Sequence, residues 1–222
     1  MKNTNKNLNK IKIVFDLLGV ITKEGLFATK VVYPFVQDKI SYDLFKKKYL
    51  MYSLGIIEEH EFWEHISNKD QIDFLEEKIL SKTEISPKIN EIFCEFSKND
   101  CDIYLATEIP RKWGELILKK AGLQNCFKQK FYSSDLKTTK PFEKFYDKVF
   151  DSLPFEKFYD KVFDSFLKND SLAYYIEDTL INLIVAKPYG VTTIYLTTKE
   201  ATDEVDVDYK ITNVYDLLTI IV

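Results

Sequence analysis

Histidine and cysteine are scarce in this chain of 222 residues, with two His and three Cys. His60 and His65 are five apart on an expected helix. They do not stack as an i, i+4 pair, so no zinc site is expected there. Cys94, Cys101 and Cys126 fall in apolar or core-like stretches at no metal-ligand spacing. An odd cysteine count without a secretion signal points to free thiols in a reducing compartment. No run approaches the ~20 apolar residues of a membrane span. Residues 1–10 are polar and lack the apolar stretch of a signal peptide, so a cytoplasmic location is expected. The formal net charge is -4, and the lysines are scattered among acids. That gives no basic patch for nucleic acid. The length suits one large domain, or a core domain with an insert.

What the chain does have is an acid at a telling place. The apolar run Ile11–Phe15 ends in Asp16, and Leu17-Leu18-Gly19-Val20-Ile21 follows. An apolar strand that delivers one acid to its tip, followed by a tight Gly turn, is how open α/β sheets present a reactive group. Asp is rarely buried unless paired, so core filling is a poor explanation.

Further strands are expected at 102–106, 131–132, 172–176, 192–196 and 209–211. Between them lie helical patterns at 111–121 (closed by Gly122), 180–187 and from Val214. Alternating strands and helices predict a Rossmann-like three-layer α/β core with a parallel sheet. Residues 22–90 read differently. They are helical and aromatic, with a helix from the Ser41 cap through Leu54 carrying Leu44, Phe45, Tyr49 and Tyr52 near one face. Two more amphipathic helices follow at 58–66 and 70–80. Ser86-Pro87 is expected to open another, with Ile89, Ile92, Phe93 and Phe96 at helical spacing. This gives a core of 1–21 and 91–222 with a helical cap of 22–90. The cap aromatics Tyr42, Phe45, Tyr49, Tyr52, Phe62 and Trp63 are expected to form its core.

One stretch is duplicated. PFEKFYDKVFDS occurs at 141–152 and again at 154–165, a period of 13 residues. At about 100° per residue, the second apolar stripe would fall about 220° from the first on one helix. Pro154 would break such a helix in any case. The segment reads as two copies of one amphipathic helix. One fills the site, and the other leaves a Phe/Tyr/Val stripe suited to self-association.

Four stretches carry the chemistry, in chain order: FDLLGVIT with Asp16, YLAT with Thr107, TTKP with Lys140, and YIEDTLINLIVAKPYG with Glu177 and Asp178. Singly, each has an ordinary explanation, such as a turn residue, a strand-end hydroxyl, a surface lysine or a helix N-terminus. Together they would converge at the C-terminal edge of a parallel sheet. In this order they resemble the four motifs of the haloacid dehalogenase (HAD) superfamily of aspartate-nucleophile hydrolases, across essentially the whole chain. The insert resembles its C1-type cap. The Glu-Asp pair is similar to that of the beta-phosphoglucomutase branch. The missing second acid looks more like the sugar-phosphate phosphatase branch.

The resemblance implies a Mg²⁺-dependent phosphoric ester hydrolase that acts on a small phosphorylated metabolite through an aspartyl phosphate. It implies Asp16 as nucleophile, with Asp16, the Leu18 backbone oxygen, Glu177 and Asp178 as metal ligands. Thr107, Glu108 and Lys140 would bind substrate, with Thr107 and Lys140 also serving catalysis. Leu18 departs from the pattern. Many relatives carry there the acid that protonates the leaving group, help worth about 10²–10⁴-fold. Weakened turnover follows from its loss. Glu108 is either a substitute acid or a solvated loop carboxylate. Two other readings stay open: a non-catalytic binding protein on this fold, and a carbon–halogen hydrolase.

Lys140 and Asp178 are 38 residues apart, and removing one repeat leaves 25, the spacing that relatives suggest. Deleting 154–166 is therefore expected to leave a protein at least as stable as the full chain. The thermal midpoint of the shortened chain checks this, and a marked fall would refute it.

Overall fold

The computed structural model describes residues 10–150, 173–197 and 206–222. Lys12–Phe15 forms β1, buried along its whole length. A continuous apolar run of this kind belongs to a strand covered on both faces. Side chains alternate along a strand. Ile13 and Phe15 accordingly enter one apolar layer and Val14 the other.

The remaining strands are β2 (Asp102–Thr107), β3 (Gln129–Tyr132), β4 (Ala173–Glu177), β5 (Thr192–Leu196) and β6 (Tyr209–Ile211). All pair in parallel, in the order β3-β2-β1-β4-β5-β6. From β1 the chain winds outward through β2 and β3, then returns to β4 on the other side of β1. The connections part at this point, which opens a crevice beyond the strands' C-terminal ends. Asp16 follows β1, and Glu177 ends β4, so both lie at that crevice. The parallel α/β core matches the sequence expectation.

The insert contributes α1 (Tyr42–Ser53), α2 (Glu59–Trp63) and α3 (Ile72–Lys82). It leaves the sheet at Thr22 and returns at Ile85, where the two passing segments form an antiparallel bridge. Lys23 N–H donates to Glu84 O at 3.0 Å, and Ser86 N–H to Ile21 O at 2.9 Å. Next come α4 (Ile89–Lys98) and α5 (Arg111–Ala121). Ile89, Ile92, Phe93 and Phe96 are buried on α4, and the Phe93 ring lies tilted against Phe15, centroids 4.9 Å apart. The opposite face of the sheet is covered by α7 (Glu143–Phe150) and α8 (Leu180–Ala186). A short α6 (Ser133–Leu136) precedes α7, and α9 (Leu217–Ile221) ends the chain against α4.

Several local expectations are corrected. Ser86 does not cap α4. Its hydroxyl donates to Val20 O at 2.7 Å, fastening the returning strand of the insert. The helix starts only after Lys88, which turns the chain in the left-handed region. Ser41 occupies the N-cap position of α1, but its hydroxyl makes no capping bond. Leu44 and Tyr42 are exposed rather than core, as are Cys94 and Cys126. The helix expected at 58–66 is shorter, and 69–71 is a 3₁₀ turn ahead of α3. In the first duplicated copy, Phe145, Tyr146, Val149 and Phe150 are buried on α7. The second copy, and the self-association expected of it, lie outside the described residues.

The insert is tied to the core through α5. Trp113 of α5 sits among Phe27, Tyr49, Tyr52, Phe62 and Trp63, with ring centroids 5.5–6.1 Å away. Its indole N–H donates to buried Glu76 of α3 at 2.7 Å, and Trp63 donates to the same oxygen at 3.3 Å. Lys112 lies 2.8 Å from the other Glu76 oxygen. Burial pushes the Glu76 carboxyl above its usual range, against the pull of Lys112 and Trp113. Two indoles and an ammonium thus converge on one acid. Removing it strands buried donors. Glu76→Ala is expected to cost about 3–5 kcal/mol, read as a lower urea midpoint. A loss below about 1 kcal/mol would show that the cluster does not hold insert and core together.

Candidate active site

The turn after β1 shapes the site. Leu18 (φ −82, ψ 125) and Gly19 (φ 80, ψ −8) take the two central positions of a type II turn. The second of these needs a positive φ, which glycine adopts without strain. Glycine is needed here for space as well. A Cβ on Gly19 would lie 1.9 Å from Asp178 Oδ2, and one on Gly25 would lie 2.3 Å from it. The Asp178 carboxylate therefore rests in a cradle made by two side-chain-free residues, one in the turn and one at the start of the insert.

Asp16 is buried, and its Oδ1 accepts from Leu17 N–H at 2.7 Å. The same oxygen lies 3.1 Å from Lys140 Nζ. Lys140, buried in the loop before α7, lies closer still to Glu177 Oε2, at 2.6 Å, and donates to Ala106 O at 3.4 Å. Glu177 is fully buried. Its Oε2 also accepts from Tyr175 OH at 2.7 Å, and its Oε1 accepts from the backbone N–H groups of Asp178 and Thr179 at 3.1 and 3.2 Å. A carboxylate has about four lone-pair positions, and Glu177 uses all four inside the protein. Through these bonds the acid orients Lys140 and fastens the start of α8.

Thr107 ends β2, and its fully buried hydroxyl has no hydrogen-bond partner among the described residues. Glu108 follows. It is partly buried rather than solvated, accepts a short hydrogen bond from the Thr139 hydroxyl, and lines the same cavity as Asp16 and Asp178. That corrects the loop-carboxylate reading. The cavity, of about 230 Å³, is closed on the insert side by Leu26, Phe27, Ala28, Thr29 and Tyr49. Leu18 also lines it, with a side chain that joins the apolar core. All the sequence-predicted site residues therefore meet at one end of the sheet.

Sequence reading missed Tyr175, Thr139 and Gly25. Tyr175 had a signal, since it lies two residues before Glu177 and so shares its strand face. Gly25 had none, because its role depends on a contact 153 residues further along the chain.

The electrostatics are lopsided: among the described residues, one ammonium faces four carboxyl groups. Burial alone would lower the Lys140 pKa, but Asp16, Glu177 and Glu108 outweigh it and hold the lysine charged. Burial would likewise raise Glu177, yet Lys140 and the donated hydrogen bonds hold it below its usual range. Asp16 gets less of the lysine. Burial and the charge of Glu177 push its carboxyl above its usual range. Burial, then Glu177, pushes Asp178 up to about 7. Oxygens of Asp16, Glu177 and Asp178 come within 4.8 Å of one another. Hard oxygen donors with uncompensated negative charge suit a divalent cation of the Mg²⁺ type.

No family model and no curated protein matches this sequence. Solved structures do. A HAD phosphatase from Thermococcus onnurineus superposes with a TM-score of 0.66 at 20% identity, covering 94% of this chain and 96% of that one. A HAD family enzyme from Bacteroides thetaiotaomicron, in complex with magnesium and inorganic phosphate, gives 0.64 at 16%, covering 87% and 98%. A dehalogenase gives 0.62 at 14%, covering 98% of each chain. The chain has the HAD-type hydrolase fold. At these identities the likeness establishes the fold alone, and the chemistry has to be argued from the side chains above.

The raised acids give this site a pH signature. A carboxyl whose folded pKa is raised holds its proton in the folded state after the unfolded chain has released it. Without a cation, stability therefore falls as pH rises from about 4 to about 7 through Asp178. A bound cation reverses the cost of ionisation. Excess Mg²⁺ is expected to raise the thermal midpoint by several degrees near pH 8 and by little near pH 5. An equal shift at both pH values would refute this.

Proposed function

We propose that this chain is a Mg²⁺-dependent phosphoric ester hydrolase that works through an aspartyl phosphate on Asp16. The observation that carries this reading is the buried excess of carboxyl groups around a single lysine, beside an unpartnered threonine hydroxyl, at the sheet's switch point. Magnesium complexes of a protein with the same fold support it.

Asp16, Asp178 and the Leu18 carbonyl oxygen would hold the cation. It would supply charge neutralisation at the phosphoryl oxygens and ionise Asp16. Glu177 is left out of this set because its lone pairs are taken. The Asp16 oxygen that does not face Lys140 is the nucleophile. Attack on phosphorus gives an acyl phosphate and releases the alcohol, and water then attacks the same phosphorus to return Asp16. Lys140, held charged and aimed by Glu177, stabilises the added negative charge without reorganising. The Thr107 hydroxyl donates to a phosphoryl oxygen, which satisfies its orphaned buried donor. The small cavity suits a compact phosphorylated metabolite, with Tyr49 and Thr29 as the polar groups on the insert side.

Phosphate release from acetyl phosphate and p-nitrophenyl phosphate tests this. Turnover is expected to need Mg²⁺, to stop with chelator, and to fall about 10³-fold or more in Asp16→Asn. Phosphate release that survives chelator would refute the Mg²⁺-dependent reading. Absence of turnover with Mg²⁺ still bound would favour a binding protein on this fold.

A further inference from the structure

An alkyl phosphate cannot leave as an alkoxide without large cost, so its bridging oxygen needs a proton as the P–O bond breaks. Leu18 carries none. Four carboxyl groups line the cavity, namely Asp16, Glu108, Glu177 and Asp178. Asp16 is engaged as nucleophile. The oxygens of Glu177 are filled by Lys140, Tyr175 and two backbone N–H groups. Asp178 lies in its glycine cradle on the cation side. Glu108 alone is left over. It follows Thr107 directly, so it stands beside the phosphoryl pocket. Tyr49, on the insert wall, lines the same cavity. Its side-chain hydrogen bond comes from the neutral Thr139 hydroxyl rather than from a cation.

We infer that Glu108 is the proton donor to the leaving group, doing from the end of β2 what the turn after β1 cannot. The inference rests on the aspartyl-phosphate reading. As Asp16 Oδ bonds to phosphorus, the bridging P–O bond breaks and its electron pair takes the Glu108 proton, releasing a neutral alcohol. Water then attacks the aspartyl phosphate and gives its proton to the Glu108 carboxylate. Phosphate leaves, and Asp16 and protonated Glu108 are restored. The surroundings favour a protonated start. Burial raises the Glu108 carboxyl above its usual range, the Glu177 charge adds to this, and Lys140 and Thr139 oppose it. Tyr49 and Tyr146, the other titratable groups near it, are themselves raised by burial and stay neutral.

The test is the rate of Asp16 phosphorylation by rapid quench, with acetyl phosphate beside glycerol phosphate, in the wild type and in Glu108→Gln. Glutamine keeps an oxygen for the Thr139 hydroxyl, so a merely structural role would spare it or harm both donors alike. The expected result is about a 10²–10³-fold loss with glycerol phosphate and less than about a 3-fold change with acetyl phosphate. The variant is also expected to lose the high-pH fall of kcat/KM for the alkyl ester. Equal loss on both donors, or a wild type that never labels from glycerol phosphate, overturns the inference. If no donor labels Asp16, the aspartyl-phosphate reading fails, and this inference fails with it.

Discussion

Everything at the site hangs on the Nζ of Lys140. Among the described residues it is the one ammonium at the centre of the carboxyl cluster, 2.6 Å from Glu177 and 3.1 Å from Asp16. Buried ion pairs seldom stabilise a fold more than apolar packing of the same volume would, because both charges lose their water. Such a pair is weak support for stability. The arrangement makes more sense as a fixed field. Tyr175 and the start of α8 pin Glu177, Glu177 pins the lysine, and the lysine presents its remaining charge to Asp16. A chain of fully bonded groups pre-pays the reorganisation that water would otherwise demand in the transition state.

The fold serves that field by bringing distant segments to one edge. Asp16, Thr107 and Glu177 sit at the ends of adjacent strands β1, β2 and β4, so their spacing follows from strand pairing about 4.8 Å apart. Asp178 needs more than pairing. Its carboxylate fits because Gly19 and Gly25 leave room, and Gly25 belongs to the first turn of the insert. The insert is thus part of the site's floor as well as its roof. Its tie to α5 through Trp113 and Glu76 holds Tyr49 and Phe27 at the cavity.

The sheet was legible because its signal is local. Runs such as Lys12–Phe15 and Thr192–Leu196 have the length and composition of buried strands, and the structure places strands there. The convergence of Asp16, Thr107, Lys140, Glu177 and Asp178 was legible because parallel strands put all their C-terminal ends together. What escaped depends on partners chosen in three dimensions. Ser86 followed by proline reads as a helix cap, yet its hydroxyl is captured by Val20, 66 residues earlier. The four hydrogen bonds of Glu177 were equally hidden, since Lys140 and Tyr175 reach it only in the folded chain. Leu44 shares a helix with Phe45 but faces outward, since the insert buries a narrower stripe of α1 than the composition suggests.

Leu18 is best understood through the charge of the whole cluster. An acid at position 18 would be a fifth carboxyl beside one lysine, among the described residues, with three acids already raised by burial and by the Glu177 charge. Leucine removes that repulsion and gains apolar burial, since its side chain is 9% exposed and packs with the core. A carboxyl lines the same cavity from the end of β2, at Glu108. On the proposed reading, such a site needs its total charge balanced by a lysine and a cation, and one proton within reach of the leaving group; neither condition fixes which strand end must supply the proton.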